Sequence, residues 1–248
     1  MKDIIDLHTH TIMSGHAYNT LFEMLHAASE NGVKLLGSTE HEPGMPGTCH
    51  EYYFLNLRVI PRDIYGVKLL MGCELNILDY DGTINLKERF LKKLDFAIAS
   101  IHDPCYTSGT IEQNTAAYLN AMKNPYVNII GHPDDSRFPV DYKKLVLGAK
   151  EHHVLLEMNS SSFHPKASRV GARENYLEML AYCREYQVPI ILNSDAHCSV
   201  DVGNHARAIA LLEEIDFPEE LVVNSSIEKV AEFIPALRQD IYTGGTEA

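Results

Sequence analysis

Seven short apolar runs rich in β-forming residues recur along the 248-residue chain, and they limit its fold more than any other feature. None of them alternates strictly between apolar and polar residues, which indicates strands buried on both faces, as in parallel sheets. Segments with helical periodicity separate the runs. Seven strand–helix units in succession predict an α/β protein whose parallel strands close into a barrel. The runs are residues 4–7, 34–38, 68–73, 96–101, 127–130, 154–158 and 189–192.

Histidines and carboxylates stand where these predicted strands end. His8 and His10 are two residues apart, so a strand would point both imidazoles to one face, a natural way to grip a metal ion. Later candidates follow at intervals of 28 to 33 residues. One βα unit takes about 30 residues, so each candidate would lie at the carboxyl end of its strand, where barrel enzymes build their sites. The candidate ligands are His8, His10, His16, His41, Glu74, His102, His132, Asp195 and His197.

Each of these residues also has an ordinary explanation when taken alone. His41 could cap a helix, Glu74 could form an ion pair, and His132 could be a satisfied loop residue. The recurrence of such residues at one strand end after another favours a common site over separate structural roles.

Two segments depart from a plain barrel. Residues 76–86 contain Asp81-Gly82 between short β-like arms, which predicts a hairpin. Residues 44–62 are rich in proline at their ends and predict a long loop with one helical turn. Nothing divides the chain further, so we expect one domain over residues 1–248, with a frayed tail at 241–248.

Composition excludes several classes of protein. The formal net charge of −13 makes nucleic-acid binding unfavourable, since that function needs a basic surface. The five cysteines are odd in number and lack CxxC spacing, which argues against a disulfide framework and a thiolate zinc finger. No apolar run is long enough to cross a bilayer and no signal-peptide pattern is visible, so we expect a cytoplasmic protein.

Six short motifs, taken together and in order, resemble the PHP (polymerase and histidinol phosphatase) family, and most of all its small stand-alone YcdX-type phosphatases. The resemblance extends over roughly residues 2–233. It implies a distorted (β/α)7 barrel of mostly parallel strands, with a trinuclear metal centre at the carboxyl ends of those strands. The motifs are His8-Thr9-His10, Ser38-Thr39-Glu40-His41, Gly72-Cys73-Glu74, Ser100-Ile101-His102, Gly131-His132-Pro133 and Ser194-Asp195-Ala196-His197.

The resemblance also implies how the ligands divide among three divalent ions. The first ion would be held by His8, His10, Glu74 and Asp195, the second by Glu74, His102 and His132, and the third by His16, His41 and His197. A carboxylate can bridge two ions because each oxygen offers a lone pair, which an imidazole cannot do. Imidazole-rich sites suit zinc, although manganese or iron also fits mixed ligation.

The leading functional hypothesis is a metal-dependent phosphatase acting on a small phosphorylated metabolite. A hydroxide shared between the first two ions would attack phosphorus, with Glu74, Asp195 and His197 as catalytic ligands. Arg137 is the first candidate for a phosphate clamp, and a surface salt bridge is the alternative. A phosphodiesterase or 3′-exonuclease of the same family and a non-catalytic metal-binding module are the competing functions. Homo-oligomerisation is left open.

Several further residues receive weaker assignments. His164 and Arg169, after the sixth strand, could contact the leaving group, with His164 as proton donor. Glu40 and Asp134 could orient ligand histidines. The sixth strand itself ends in 157–159 without an expected ligand. We expect His26, His152 and His153 to be non-functional, and His50 and His205 are unassigned.

Overall fold

The computed structural model describes residues 1–238, and the tail predicted for 241–248 lies outside these residues. The described chain contains nine strands and seven α-helices. In chain order they are β1 (Ile5–Thr9), α1 (Leu21–Glu30), β2 (Leu35–Ser38), β3 (Asp63–Ile64), β4 (Val67–Met71), β5 (Cys73–Asn76), α2 (Glu88–Leu91), β6 (Ala97–Ser100), α3 (Ile111–Ala121), β7 (Ile129–Ile130), α4 (Tyr142–His152), β8 (Leu155–Asn159), α5 (Ala172–Tyr186), β9 (Ile190–Asn193), α6 (Ala206–Glu214) and α7 (Ile227–Ala231).

The strands form two sheets with a mostly parallel arrangement. One sheet has the order β1-β2-β4-β3 and the other β5-β6-β7-β8-β9, and within them only the short β3 is antiparallel to its neighbour. Isolated parallel bridges connect the sheets on both sides, between His41 and Glu74 and between Thr9 and Ala196. The predicted α/β class with parallel strands is therefore confirmed in a barrel-like arrangement. Closure into one continuous barrel stays a prediction.

The third predicted strand, 68–73, is divided at Gly72 into β4 and β5. A side-chain Cβ at Gly72 would lie 2.6 Å from the ring and 2.9 Å from the carbonyl oxygen of Phe96, so the close approach requires glycine. Before this point the chain pairs with β2, and after it with β6. Gly72 thus passes the chain from one sheet to the other.

Apolar residues pack on both faces of the strands. An inner cluster takes at least one residue from each of β1, β2, β4, β6, β7, β8 and β9, and it also includes residues of α7 and of the chain after it. A larger outer cluster lies between the strands and the surrounding helices. Burial on both faces explains why the sequence runs lack alternation. The inner cluster includes Ile5, Leu7, Leu35, Leu70, Ile98, Ile129, Leu155, Ile191, Val230, Ile234 and Leu237.

Local signals place the helices. Thr20 and Glu23 form a reciprocal capping box at the start of α1, and Thr110 and Gln113 form another at α3. Gly32 follows the end of α1 with φ of 79°, a backbone conformation that glycine adopts without strain. These contacts satisfy backbone groups that a helix end leaves without partners.

The two predicted departures from a plain barrel are present. Ile77 and Ile84 form an antiparallel bridge, and Leu78 N–H donates to the Thr83 carbonyl over 2.9 Å, which makes a small hairpin. The 44–62 loop is more ordered than predicted, because it contains two 3-10 turns, Glu51–Leu55 and Leu57–Val59. All five cysteines are free thiols, as predicted. Within residues 1–238, no helix combines the length and apolarity that crossing a bilayer requires.

Candidate metal centre

The nine predicted ligand side chains meet at the carboxyl ends of the parallel strands. Within each of four overlapping groups, the potential ligand atoms all lie within 4.8 Å of one another. His16 joins them through its Nε2, which is 3.3 Å from Nε2 of His41 and 3.0 Å from Nε2 of His197. The groups are His8–His10–Glu74, His8–His132–Asp195, His10–His41–His197 and His41–Glu74–His102.

A register shift in β1 brings His8 into this centre. Between Asp6 and Thr9 the strand advances three residues while β2 advances from Leu36 to Ser38. As a result Leu7 lies in the inner cluster while the next side chain, His8, points to a carboxylate on β8. His8 and His10 then face each other with their Nε2 atoms 3.1 Å apart. The shared direction predicted from their spacing is confirmed.

Glu74 lies at the middle of the centre, with its side chain 1% exposed. His41 Nδ1 is 2.8 Å from Oε2 of Glu74, yet neither atom makes an aligned hydrogen bond within the described chain. Buried polar atoms are rarely left in this state unless an ion or water completes them. The two oxygens lie 2.8–3.4 Å from ring nitrogens of five imidazoles, those of His8, His10, His41, His102 and His132.

Both central carboxylates are held in their ionised form. Burial raises the pKa of Glu74, but the charges of His102 and His8 outweigh burial and hold that pKa well below its ordinary value. Burial likewise raises the pKa of Asp195, and interactions with His8 and His10 hold it well below the ordinary value. Ionised, dehydrated carboxylates with imidazole neighbours are the chemistry that a divalent cation requires.

The pKa values of His10 and His8 are shifted in opposite directions because the surroundings of the two rings differ. Burial lowers the pKa of His10, and the charges of His41 and His197 lower it further, to well below its ordinary value. Burial also lowers the pKa of His8, but the carboxylates of Glu157 and Glu74 raise it well above that value. The negative charge around His8 thus favours a cation beside this ring. A divalent ion would supply positive charge in place of a proton on the ring, so the lone pair of Nε2 of His8 would be free to coordinate that ion.

Neighbouring side chains fix which ring nitrogen faces the centre. Ser14 Oγ donates to Glu40 over 2.6 Å, so it accepts from Nδ1 of His10 over 3.0 Å, and Nε2 of His10 is left with its lone pair. Asn76 Oδ1 accepts from Nδ1 of His102 over 2.7 Å. Glu40 was predicted to support the ligands and acts here through Ser14. Sequence reasoning missed Ser14 and Asn76, because neither is a ligand type.

Asp134 is buried, but its described hydrogen bonds reach no ligand imidazole. Its Oδ1 accepts from the Tyr176 hydroxyl over 3.2 Å. Burial raises the pKa of Asp134 to about 6, partly offset by Arg169. Its predicted role of orienting a ligand histidine therefore has no supporting contact.

A cavity of about 460 Å³ opens from the centre to solvent. Arg169 lies on its wall, 17% exposed, and its Nη2 donates to Oδ2 of Asp195 over 2.9 Å. His164 lies at the mouth, where its Nδ1 accepts from the Lys166 amide over 3.1 Å, so a neutral ring carries its proton on Nε2. The cavity is much larger than an inorganic phosphate and leaves room for a leaving group.

Arg137 lies beside the centre rather than in this cavity. It lines an adjoining cavity of about 170 Å³ together with His102 and His132. Its guanidinium pairs with Asp135, with Nη2 and Oδ2 2.7 Å apart, and remains 41% exposed. The salt bridge considered as an alternative is thus present, on a side chain that still borders two candidate ligands.

The remaining histidines are outside the centre. His26 pairs with Glu30 on the surface, and His153 contacts the carbonyl of Glu232. His50 caps the 3-10 turn that follows it. His205 is buried against Asp3, with Nδ1 and Oδ2 2.7 Å apart.

Fold and site together define a barrel-like α/β protein with histidines and carboxylates that could hold metal ions at the carboxyl ends of its parallel strands. The model of the PHP domain matches residues 6–164, more than half of the 248-residue chain. The chain belongs to the PHP domain family.

Relatives with known names support a phosphatase. A protein of Clostridium novyi named a probable phosphatase is 49% identical over 234 residues, which cover 94% of this chain and 95% of that protein. The histidinol phosphate phosphatase of Lactococcus lactis, solved with zinc, L-histidinol and phosphate, has a TM-score of 0.60 at 17% identity, covering 88% of this chain and 95% of that one. A chain in archaeal ribonuclease P with mature tRNA has a TM-score of 0.62 at 17% identity, covering 98% and 97%. These two structures share the fold with this chain.

Proposed function

We propose that this protein is a metal-dependent phosphatase that hydrolyses small phosphomonoesters. The observation that carries the proposal is the placement of Glu74: one buried carboxylate surrounded by five imidazoles at the floor of an open cavity. Structural metal sites are usually closed by protein ligands, whereas catalytic sites keep a position open to water or substrate.

The residues fit a cluster of divalent ions. The poorly aligned contact between His41 and Glu74 is what ligand positions require, and so is the close approach of ring nitrogens in the pairs His8–His10 and His16–His41. We propose three ions, divided as the family resemblance implies, although the four overlapping groups do not by themselves make this division. Zinc suits the imidazole-rich set, and manganese or iron also fits. The zinc in the Lactococcus lactis structure supports the first choice.

When bound, the ions would neutralise phosphate charge and make water a competent nucleophile at neutral pH. The chain's own residues would do the rest. Glu74 and Asp195 would hold the ions with their ionised oxygens. Arg169, on the cavity wall, would add positive charge beside the phosphate, and Arg137 would reach it by exchanging its pairing with Asp135. His164 would donate a hydrogen bond from its Nε2–H to the leaving oxygen and so stabilise the charge that develops there.

The competing functions make different predictions. The net charge of −13 disfavours a phosphodiesterase or 3′-exonuclease, because a nucleic-acid backbone needs basic contacts. The open cavity disfavours a non-catalytic metal-binding module. A nuclease would shorten single-stranded DNA and leave monoesters intact, while a binding module would take up about three ions and turn over neither substrate. The small metabolite, the cytoplasmic location and the oligomeric state remain expectations.

The experiment is phosphate release from p-nitrophenyl phosphate by protein loaded with zinc or manganese. We expect turnover by the wild type and none by Glu74→Ala. His26→Ala is the matched control, because His26 is 63% exposed and outside the centre, and it should keep wild-type activity. Metal-loaded wild type that releases no phosphate from a panel of phosphorylated metabolites would contradict the proposal.

A further inference from the structure

Glu157 is a fully buried carboxylate in the middle of β8, the one predicted strand that lacks an expected ligand. It lies two residues beyond Leu155 of the inner cluster and therefore points to the same inner face. A buried carboxylate is costly unless its oxygens are paired. The hydrogen-bond partners of Glu157 therefore indicate which residues it positions.

Four hydrogen-bond donors converge on this carboxylate. Oε1 accepts from Nδ1 of His8 over 2.7 Å and from Asn193 Nδ2 over 2.8 Å. Oε2 accepts from the backbone N–H of His132 over 2.8 Å and from Asn159 Nδ2 over 3.2 Å. Four donors fill the lone pairs of an ionised carboxylate, so Glu157 has none left for a metal ion.

The two asparagines are true donors, because other contacts fix the orientation of their amides. Asn193 Oδ1 accepts from the Leu7 N–H over 2.8 Å. Asn159 Oδ1 accepts from the Ser161 N–H over 3.0 Å. Each Nδ2 must then face Glu157.

For His8 the contact with Glu157 decides the tautomer. With the proton on Nδ1, the lone pair of Nε2 points at the centre, where Oε1 of Glu74 is 3.3 Å away and Oδ1 of Asp195 is 3.6 Å away. A carboxylate behind a ligand histidine commonly fixes the ring and raises its basicity.

For His132 the contact is with the backbone. His132 has φ of 29°, in the left-handed region that non-glycine residues rarely adopt. Such strain persists only where surrounding contacts hold it. The Glu157 hydrogen bond to this N–H supports the conformation that places Nε2 of His132 2.8 Å from Oε1 of Glu74.

We propose that Glu157 is a positioning residue that holds two ligands, His8 and His132, so that loss of this one carboxylate weakens two ion positions together. In the division of ligands proposed above, His8 and His132 serve different ions. Asn76, by contrast, contacts one candidate ligand within residues 1–238, His102. This inference rests on the proposed metal centre, but not on its phosphatase activity.

The test is Glu157→Ala, with metal binding as the readout. Alanine removes both acceptor oxygens, so Nδ1 of His8 and the N–H of His132 lose their partner together. We expect zinc affinity to fall by about 10- to 100-fold at the positions that lose support, the usual effect of removing such a partner. Zinc content would be measured by mass spectrometry after dialysis against buffers of graded free zinc.

Asn76→Ala is the matched control. At a free zinc concentration that fills the wild type, we expect Asn76→Ala to weaken one ion position and Glu157→Ala to weaken two. Equal losses in the two variants, or wild-type affinity in Glu157→Ala, would overturn the inference. Wild type that binds no zinc would instead overturn the proposed metal centre.

A second measurement does not depend on a variant that folds. Long-range ¹⁵N–¹H spectra of zinc-loaded wild type report which nitrogen of each histidine carries a proton. We expect the His8 ring to be protonated at Nδ1 and metal-bound at Nε2. A His8 ring bound through Nδ1 would refute the role of Glu157.

Discussion

His205 should make the stability of this protein fall as pH rises above neutrality. Its side chain is 1% exposed, with Nδ1 2.7 Å from Asp3 Oδ2 and Nε2 3.7 Å from Asp6 Oδ1. Burial lowers the pKa of His205, but the contacts with Asp3 and Asp6 outweigh burial and raise it to about 10, from 6.5. Asp6, in β1, also accepts a hydrogen bond from Ser194, which follows β9 and precedes the candidate ligand Asp195. Asp6 thus connects β1 both to His205 and to the chain that follows β9.

The sign and size follow from proton linkage. Between pH 6.5 and 10 the folded protein retains a proton that the unfolded chain has lost, so stability falls with rising pH. The stabilisation is complete below pH 6.5 and is lost as pH rises through 10. A pKa shift from 6.5 to about 10 corresponds to about 5 kcal/mol in total, with a slope of up to about 1.4 kcal/mol per pH unit.

The assay is urea unfolding at several pH values from 6 to 10, with metal removed by a chelator. We expect His205→Gln to show a smaller pH slope in this window than the wild type, and the slope that remains includes the contribution of His8, whose pKa is also raised. His26→Gln, which changes an exposed histidine, should keep the slope. Parallel curves for wild type and His205→Gln would refute the reasoning.

Three other perturbations have expected outcomes of their own. Leu155→Ala leaves a cavity in the inner cluster and should lower the free energy of unfolding in urea by about 2–5 kcal/mol. Leu147→Ala, at a 39% exposed position, should lower it by less than about 0.5 kcal/mol. Equal losses in the two variants would contradict the assigned packing. Arg137→Ala should lower kcat/KM by about 10- to 100-fold with zinc content unchanged if Arg137 clamps phosphate, and unchanged kcat/KM would leave it only its salt bridge with Asp135. Chelation should lower the thermal midpoint, since ions that bind only the folded state stabilise it, and a midpoint independent of zinc would count against the centre.

Much of the fold was predictable because it depends on local pattern. Strands buried on both faces show as apolar runs without alternation, and a βα unit has a nearly constant length. Because the length of a βα unit is nearly constant, candidate ligands as distant in sequence as His8 and His197 lie at the same end of the strands. What the pattern could not show depends on contacts between distant residues. The division of the third strand at Gly72 follows from Phe96, and the register shift that turns His8 inward follows from pairing with β2.

The supporting residues of the site were harder to predict than its ligands. Ser14 and Asn76 are common residue types, and only their contacts with His10 and His102 reveal their roles. Glu157 did leave a signal, a charged residue inside an otherwise apolar strand, but that signal alone does not distinguish a ligand from a residue that holds one. Arg137 could not be assigned from sequence, because its pairing with Asp135 depends on side-chain placement.

The most direct test of the metal centre is an anomalous difference map at the zinc edge from crystals of zinc-loaded protein. We expect three peaks around Glu74, each about 2.0–2.2 Å from imidazole nitrogens or carboxylate oxygens of the nine predicted ligands. A map without peaks in this cage, from protein that carries zinc in solution, would contradict the account.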